Sequence, residues 1–265
     1  MTDEERRHEE DLQRIRGFRL MDDDFMSACL ADNPEDTELI LRIILDDKGI
    51  VVTESKTQYL IKSLSGRDVW LDVKAKDAKG RHINIEIQND DRGATPKRAR
   101  YHSSVLDSSI LKSGQEFDDL PETYVIFITE NDVLRGNQPI YHIDRRVAEM
   151  DFDPFGDQEH IIYVNAAKDN SETELGKLMH DFKCINPDDM YFKKLAEKPR
   201  YFKETDEGVQ TMCKVMDEVR REAVWKNTVE AVKGFYAVGV SKEKIVEALN
   251  LTMEQVNEIL GEQSA

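Results

Sequence analysis

The sequence predicts an α/β domain followed by a helical C-terminal region, and three observations carry that prediction. Strand-like runs and helical stripes alternate over roughly the first 165 of the 265 residues. One run, YVIFIT at 124–129, is short and continuously apolar, as a strand covered on both faces is. Beyond the strand-like runs the pattern turns almost wholly helical.

Residues 1–17 form a charged lead-in with helical character. A helix is expected at 34–46: Asn33 is its cap, Pro34 suits its first turn, and Leu39, Ile40, Ile43 and Ile44 form one stripe before Gly49 closes the segment. Strands are expected at 50–53, 57–63, 69–76 and 82–88. The helix expected at 95–113 has Thr95 as cap, Pro96 at the first helical position and Gly114 as its stop. After the 124–129 strand come two more, at 139–145 and 160–164, around an acidic surface loop at 151–159. Helices are expected at 172–182, 187–197 and 206–236. The last stretch, 239–261, reads as two short helices capped by Ser241 and Thr252, with Ile245, Val246, Leu249, Leu251, Val256, Ile259 and Leu260 between them. This is helix-turn-helix-like, but the second helix carries no Lys or Arg, and a DNA-reading helix needs such donors. A protein-interaction or dimerisation role is therefore favoured there over DNA readout. The expected division is a charged segment at 1–17, a core domain at 18–205 and a helical region at 206–265.

Composition narrows the function. With 54 acidic against 37 basic residues the net charge is −17, which on average repels polyanions. Any nucleic-acid function must rest on a local basic patch or a metal site. Mean hydropathy of −0.61 suits a water-exposed globular protein. Cys29, Cys184 and Cys213 are far apart with no CxxC pair, which argues against zinc and for free thiols in a reducing compartment. The charged N-terminus has no secretory apolar core and no run approaches a membrane span, so a cytoplasmic protein is expected. The histidines are scattered, no Ser-His-Asp or Cys-His spacing recurs, and the glycine-rich phosphate loops are absent.

The chemistry concentrates at 68–89, DVWLDVKAKDAKGRHINIEIQN. On the first strand Val69, Leu71, Val73 and Ala75 point one way and Trp70, Asp72, Lys74 and Lys76 the other. On the second, Ile83, Ile85 and Ile87 oppose Asn84, Glu86 and Gln88. A three-residue loop, Ala78-Lys79-Gly80, with glycine in the left-handed region, pairs Asp77 with Arg81. Counting outward sets 76 against 82, 75 against 83, 74 against 84, 73 against 85 and 72 against 86. A two-residue loop would mix apolar and polar faces, which strand register disfavours. Asp72 and Glu86 then face each other with Cβ atoms about 4.5–5.5 Å apart. Opposed anions destabilise a sheet unless a cation lies between them, and Mg²⁺ or Mn²⁺ prefers such oxygen ligands. The Ile87 carbonyl could complete the set, and Gln88 shares the face, where its amide could orient water or contact phosphate. The plainer alternative is a solvated hairpin face.

The order of these pieces resembles the PD-(D/E)XK nuclease superfamily, and more closely the PD-(D/E)XK nuclease family transposases, or recombination-promoting nucleases. The text that carries the resemblance is FRLMDDDFMSACLADNPEDTELILRIIL, then KTQYLIKSLSGRDVWLDVKAKDAKGRHINIEIQ, then KRARYHSSVLDSSIL with LPETYVIFIT and IYHIDR, over residues ~18–230. The resemblance implies a restriction-endonuclease-like mixed central sheet flanked by helices. It also implies a Mg²⁺- or Mn²⁺-dependent endonuclease acting on DNA in transposition or recombination; a homo-oligomer, a dimer, is expected besides. Asp72 matches the motif Asp and Glu86 the motif (D/E). Gln88 stands where the superfamily usually has Lys, which removes a positive charge and leaves the metal as the main activator of water. Glu38, on the first predicted helix, is similar in placement to the helical acid that joins such sites, with Glu35 a rival. Lys97, Arg98, Arg100 and Tyr101, on the helix after the motif strand, either contact DNA phosphates or form a solvated helix face, and Arg98 and Tyr101 match the family helix. The alternative is a degenerate nuclease fold serving as a DNA-binding or protein-assembly module.

Overall fold

A computed structural model describes residues 3–62 and 67–261. The chain falls into two compact units, Met1–Val209 and Gln210–Ala265. Helices α1 (Asp3–Gly17), α2 (Asp23–Leu30) and α3 (Pro34–Ile44) lead into strands β1 (Val52–Ile61), β2 (Val69–Asp77) and β3 (His82–Gln88). Then come α4 (Pro96–Ile110), β4 (Thr123–Thr129), β5 (Ile140–Ile143), the two-residue strands β6 (Arg146–Val147) and β7 (Asp153–Pro154), and β8 (Glu159–Asn165). Helices α5 (Glu174–Lys183), α6 (Glu197–Glu204), α7 (Asp206–Ala237), α8 (Lys242–Leu249) and α9 (Met253–Leu260) follow.

The central sheet has the order β1-β2-β3-β4-β8-β5. The β1–β2–β3 meander is antiparallel, β3, β4 and β8 are mutually parallel, and β5 returns antiparallel on β8. This is a mixed α/β sheet with helices on its faces. Helix α4 is the crossover that parallel β3 and β4 require. Thr95 caps it, accepting from the Arg98 N–H, and it lays Ala99, His102, Ser103 and Leu106 on the sheet at helical spacing. Ala99 and Leu106 meet Val69, Leu71, Val125, Phe127 and Tyr163 in one buried cluster. On the other face α2 and α3 pack against β1 and β2, and the Thr37 and Ser55 hydroxyls lie 3.0 Å apart.

Several expectations are revised. The strands expected at 50–53 and 57–63 are one strand, β1, and Ser63 lies outside the described residues, as do Met1, Thr2 and 262–265 of the expected end segments. The helix at 95–113 stops at Ile110, and Gly114 sits in the following loop at φ +90°. The helix expected at 187–197 is a single 3-10 turn, Pro187–Asp189. Asp181 explains this: its fully buried carboxylate accepts the N–H groups of Tyr191 and Phe192, both at 2.8 Å, and pulls that backbone out of helical pairing. Helix α2 had not been expected.

In the second unit, Val232 of α7 packs with Ile245 of α8 and Val256 of α9. Thr252 and Gln255 form a reciprocal capping box that starts α9.

Candidate metal centre

The hairpin has the three-residue loop. Gly80 sits at φ +84°, and its N–H donates to the Asp77 carbonyl at 3.0 Å. The pairs 76/82, 75/83, 74/84 and 73/85 all form. Beyond Val73 and Ile85 the ladder opens, and two carboxylates fill the gap. The Ile87 N–H donates to Asp72 Oδ2 at 2.7 Å, and the Asp72 N–H donates to Glu86 Oε1 at 3.4 Å. Asp72 is 7% exposed and Glu86 is fully buried, so neither lies on a solvated face.

The opening has a cause that strict alternation does not anticipate. Lys56 and Tyr59, three apart on β1, share a face, as do Leu71 and Lys74 on β2, because Lys56 and Lys74 both lie over the Tyr59 ring, which packs on the Leu71 cluster. The alternation slips by one at Gln58, at φ +49°, and at Asp72 beside it, where neither residue joins the strand pairing. Such irregularities re-aim side chains beside functional sites.

The slip turns Gln58 toward α2. Its Nε2 donates to Asp23 Oδ1 at 3.0 Å and to Ser27 Oγ at 2.9 Å. Asp23, in the first turn of α2, is thereby held on the side of the hairpin where its charge bears on Asp72. Burial, then Glu86 and Asp23, push the Asp72 carboxyl well above the ordinary carboxylate range, against the Ile87 N–H and Arg98. Burial, then Asp24 and Glu86, push Asp23 up, against hydrogen bonds from Ser27 and Gln58.

Glu86 is held from the α4 side. Asn84 Nδ2 donates to Oε1 at 3.0 Å, His102 Nδ1 lies 3.4 Å from the same oxygen, and Arg98 Nη2 is 3.7 Å from Oε2. Arg98 Nε donates to His102 Nε2 at 3.3 Å, so Arg98 and His102 brace the carboxylate together. Glu86 Oε2 has no hydrogen-bond partner among the described residues, and Arg98 meets it only at ion-pair range. Gln88 lies over Gly93, where a Cβ would meet its Oε1 at 1.7 Å, so only glycine leaves the amide its place.

The other candidates are distributed differently. Glu38 stands away from this cluster: Oε2 accepts from the Val52 N–H at 2.9 Å and Oε1 pairs with Arg42 at 2.7 Å. Val52 pairs with Asp77, at the far end of β2 from Asp72, so Glu38 secures the start of β1. Its rival Glu35 pairs with Lys194 at 3.0 Å. All four α4 candidates are exposed, but Arg98 also reaches Glu86 and Tyr101 Oη donates to the Arg67 carbonyl at 2.9 Å. Asp23 was missed, although DDDF–M–C–L at 22–30 carries the signal: an acidic first turn, then Phe25, Met26, Cys29 and Leu30 at helical spacing.

The donor set suits a hard divalent cation: two buried, adjacent carboxylates and a Glu86 oxygen that no hydrogen bond satisfies among the described residues. Among the described residues no group of three or more His, Cys, Asp or Glu side chains is drawn together tightly enough to enclose an ion. Among those residues, too, no helix is long and apolar enough to cross a membrane. Compared with known proteins, residues 38–222 match the family model described as PD-(D/E)XK nuclease family transposase. No curated protein and no solved structure matches. The matched segment contains Asp72, Glu86, Gln88 and α4, and begins after Asp23.

Proposed function

Since the chain belongs to the PD-(D/E)XK nuclease family transposases, we propose that it is a divalent-metal-dependent endonuclease that hydrolyses phosphodiester bonds in DNA during transposition or recombination. The observation that carries this reading is the buried Asp72–Glu86 pair facing across an opened hairpin, with one Glu86 oxygen that no hydrogen bond satisfies among the described residues. Uncompensated buried carboxylates destabilise a fold, and a site that binds a cation and anionic substrate is where such destabilisation is retained.

Asp72 and Glu86 would hold Mg²⁺ or Mn²⁺, with the Ile87 carbonyl as a backbone ligand and Asp23 replacing Glu38 as the acid supplied by a helix. When bound, the ion polarises a phosphoryl oxygen and makes neighbouring water easier to deprotonate. Asn84, His102 and Arg98 keep the Glu86 carboxylate aimed. Gln88, fixed over Gly93, orients water or a phosphate oxygen through its amide, without the charge a lysine would bring. Lys97 and Arg100 contact the DNA backbone from the exposed side of α4.

Calorimetric titration with Mn²⁺ and plasmid cleavage in Mg²⁺ test this together. Wild type should bind Mn²⁺ and nick plasmid, and Asp72→Asn should do neither while remaining folded. If wild type binds Mn²⁺ but no condition yields cleavage, the degenerate-module reading, motivated by Gln88, takes its place. If Asp72→Asn cleaves like wild type, the site is wrong.

A further inference from the structure

On α4, Arg98 reaches Glu86 and Tyr101 is tied to Arg67, which leaves Lys97 and Arg100 as the cations open to substrate there. A second cationic surface lies on β1 and β2. Lys56 and Lys74 are direct cross-strand partners, and Lys76 is two residues on from Lys74. Like charges directly opposite weaken a sheet, so this arrangement costs stability unless an anion visits it. Among the described residues no carboxylate lies in ion-pair range of Lys56, Lys74 or Lys76. Glu54 is the acid nearest in register, paired with Lys76 across the strands.

These lysines, with Glu54, Tyr59 and His82, line a shallow pocket of about 90 Å³. Lys74 Nζ sits 4.3 Å and Lys56 Nζ 5.9 Å from the Tyr59 ring centre. The ring steadies both ammonium groups. The patch joins the metal centre directly: Lys74 pairs with Asn84, whose amide holds Glu86, and Lys74 follows Asp72 by two residues. The slip at Gln58 and Asp72 is what sets Lys56, Tyr59 and Lys74 on one face.

We propose that Lys56, Lys74 and Lys76, steadied by Tyr59, form a track that grips the DNA phosphate backbone on one side of the scissile bond. This rests on the nuclease reading and adds the surface by which a protein of charge −17 holds a polyanion. His82 bears on the local field: burial, then Lys76 and Lys74, hold its pKa below the ordinary value.

The test is fluorescence anisotropy of a labelled DNA duplex with the full chain in EDTA, over a series of salt concentrations. Three proteins are compared: wild type, the Lys56→Gln/Lys74→Gln/Lys76→Gln variant, and a charge-matched control, Lys48→Gln/Lys112→Gln/Lys226→Gln. Each phosphate contact contributes about 0.9 to the slope of log affinity against log salt, so the track variant should lose roughly 2–3 in slope and ~10- to 100-fold in affinity. The control should stay close to wild type. If track and control variants bind alike, or wild type binds no DNA, the track is overturned. Mn²⁺ titration of the track variant separates the two readings: retained Mn²⁺ binding with lost DNA binding supports the track. Loss of both means the substitutions disturbed the hairpin and overturns the assignment of these lysines to DNA alone. Wild-type DNA binding through the track, with no Mn²⁺ binding by any protein, leaves the track standing and removes the nuclease reading.

Discussion

The β2–β3 hairpin buries an acid at each end, and the two ends are built on opposite principles. At the turn, Asp77 is met by its counter-charge: Oδ2 accepts from Arg81 Nε at 2.6 Å, and Oδ1 accepts the N–H groups of Arg81 at 2.9 Å and Lys79 at 3.0 Å. Arg81 also reaches Asp47 at 3.2 Å. At the mouth, Asp72 is met by another acid, Glu86, with Asp23 beyond. The same strands thus carry an acid hydrogen-bonded to its own arginine, and an acid pair that Arg98 offsets only from 3.7 Å. Burial alone distinguishes neither, since Asp77 is 2% and Asp72 7% exposed. The sign of the partner does.

The contrast is broken most severely at the mouth. Asp72→Asn should lower plasmid cleavage by at least ~10³-fold, since it removes a ligand rather than a support. The same variant should raise the thermal midpoint, with a stabilisation on the order of 1 kcal/mol, because repulsion with Glu86 is relieved and the Ile87 N–H keeps an acceptor. A fall in the midpoint would mean that the pair is structural. At the turn the outcome reverses: Arg81→Met strands Asp77 as a buried charge and should cost ~3–5 kcal/mol in urea unfolding. Adding Asp77→Asn should recover much of that loss, and no recovery would show that packing, not charge, set it. Gly93→Ala sharpens the mouth further by displacing the Gln88 amide at little cost to folding. Cleavage should fall ~10- to 100-fold with Mn²⁺ affinity unchanged, and equal cleavage would remove Gln88 from the reaction.

The smallest effect comes from a buried acid outside the hairpin. Asp36 has one oxygen without a partner among the described residues, and burial pushes its pKa from 3.8 up to about 6. Folding binds its proton more tightly, so its stabilising contribution is full below about pH 4 and is lost as pH rises through 6. Asp36→Asn should therefore flatten stability between those values and stabilise at pH 7 by on the order of 1–2 kcal/mol. A midpoint-against-pH curve parallel to wild type would refute it.

The hairpin register could be read from the chain because one glycine and one face of isoleucines decide it. The central strand at 124–129 was readable for a similar reason, its apolar run having no solvated face to interrupt it. The third acid was not, because Asp23 enters through a contact between α2 and a distorted residue of β1, and nothing local to Gln58 announces a left-handed conformation. Glu38 looked right by helix and spacing, yet a backbone N–H and Arg42 claim its two oxygens. The false helix at 187–197 failed through Asp181, several residues upstream and already inside α5. In each miss, a carboxylate at least 10 residues away in sequence accepted a backbone or amide hydrogen that local propensity assigns elsewhere.

The Ile87 peptide hydrogen, given to the Asp72 carboxylate where a strand carbonyl would ordinarily receive it, makes the open end of the hairpin measurable from within. Its exchange with deuterated solvent depends on one side-chain oxygen, while the paired amides deeper in the sheet depend on the fold as a whole. Divalent cation that engages Asp72 would change that single rate and leave its neighbours' rates unmoved, so this amide reports occupancy without DNA, cleavage or mutation.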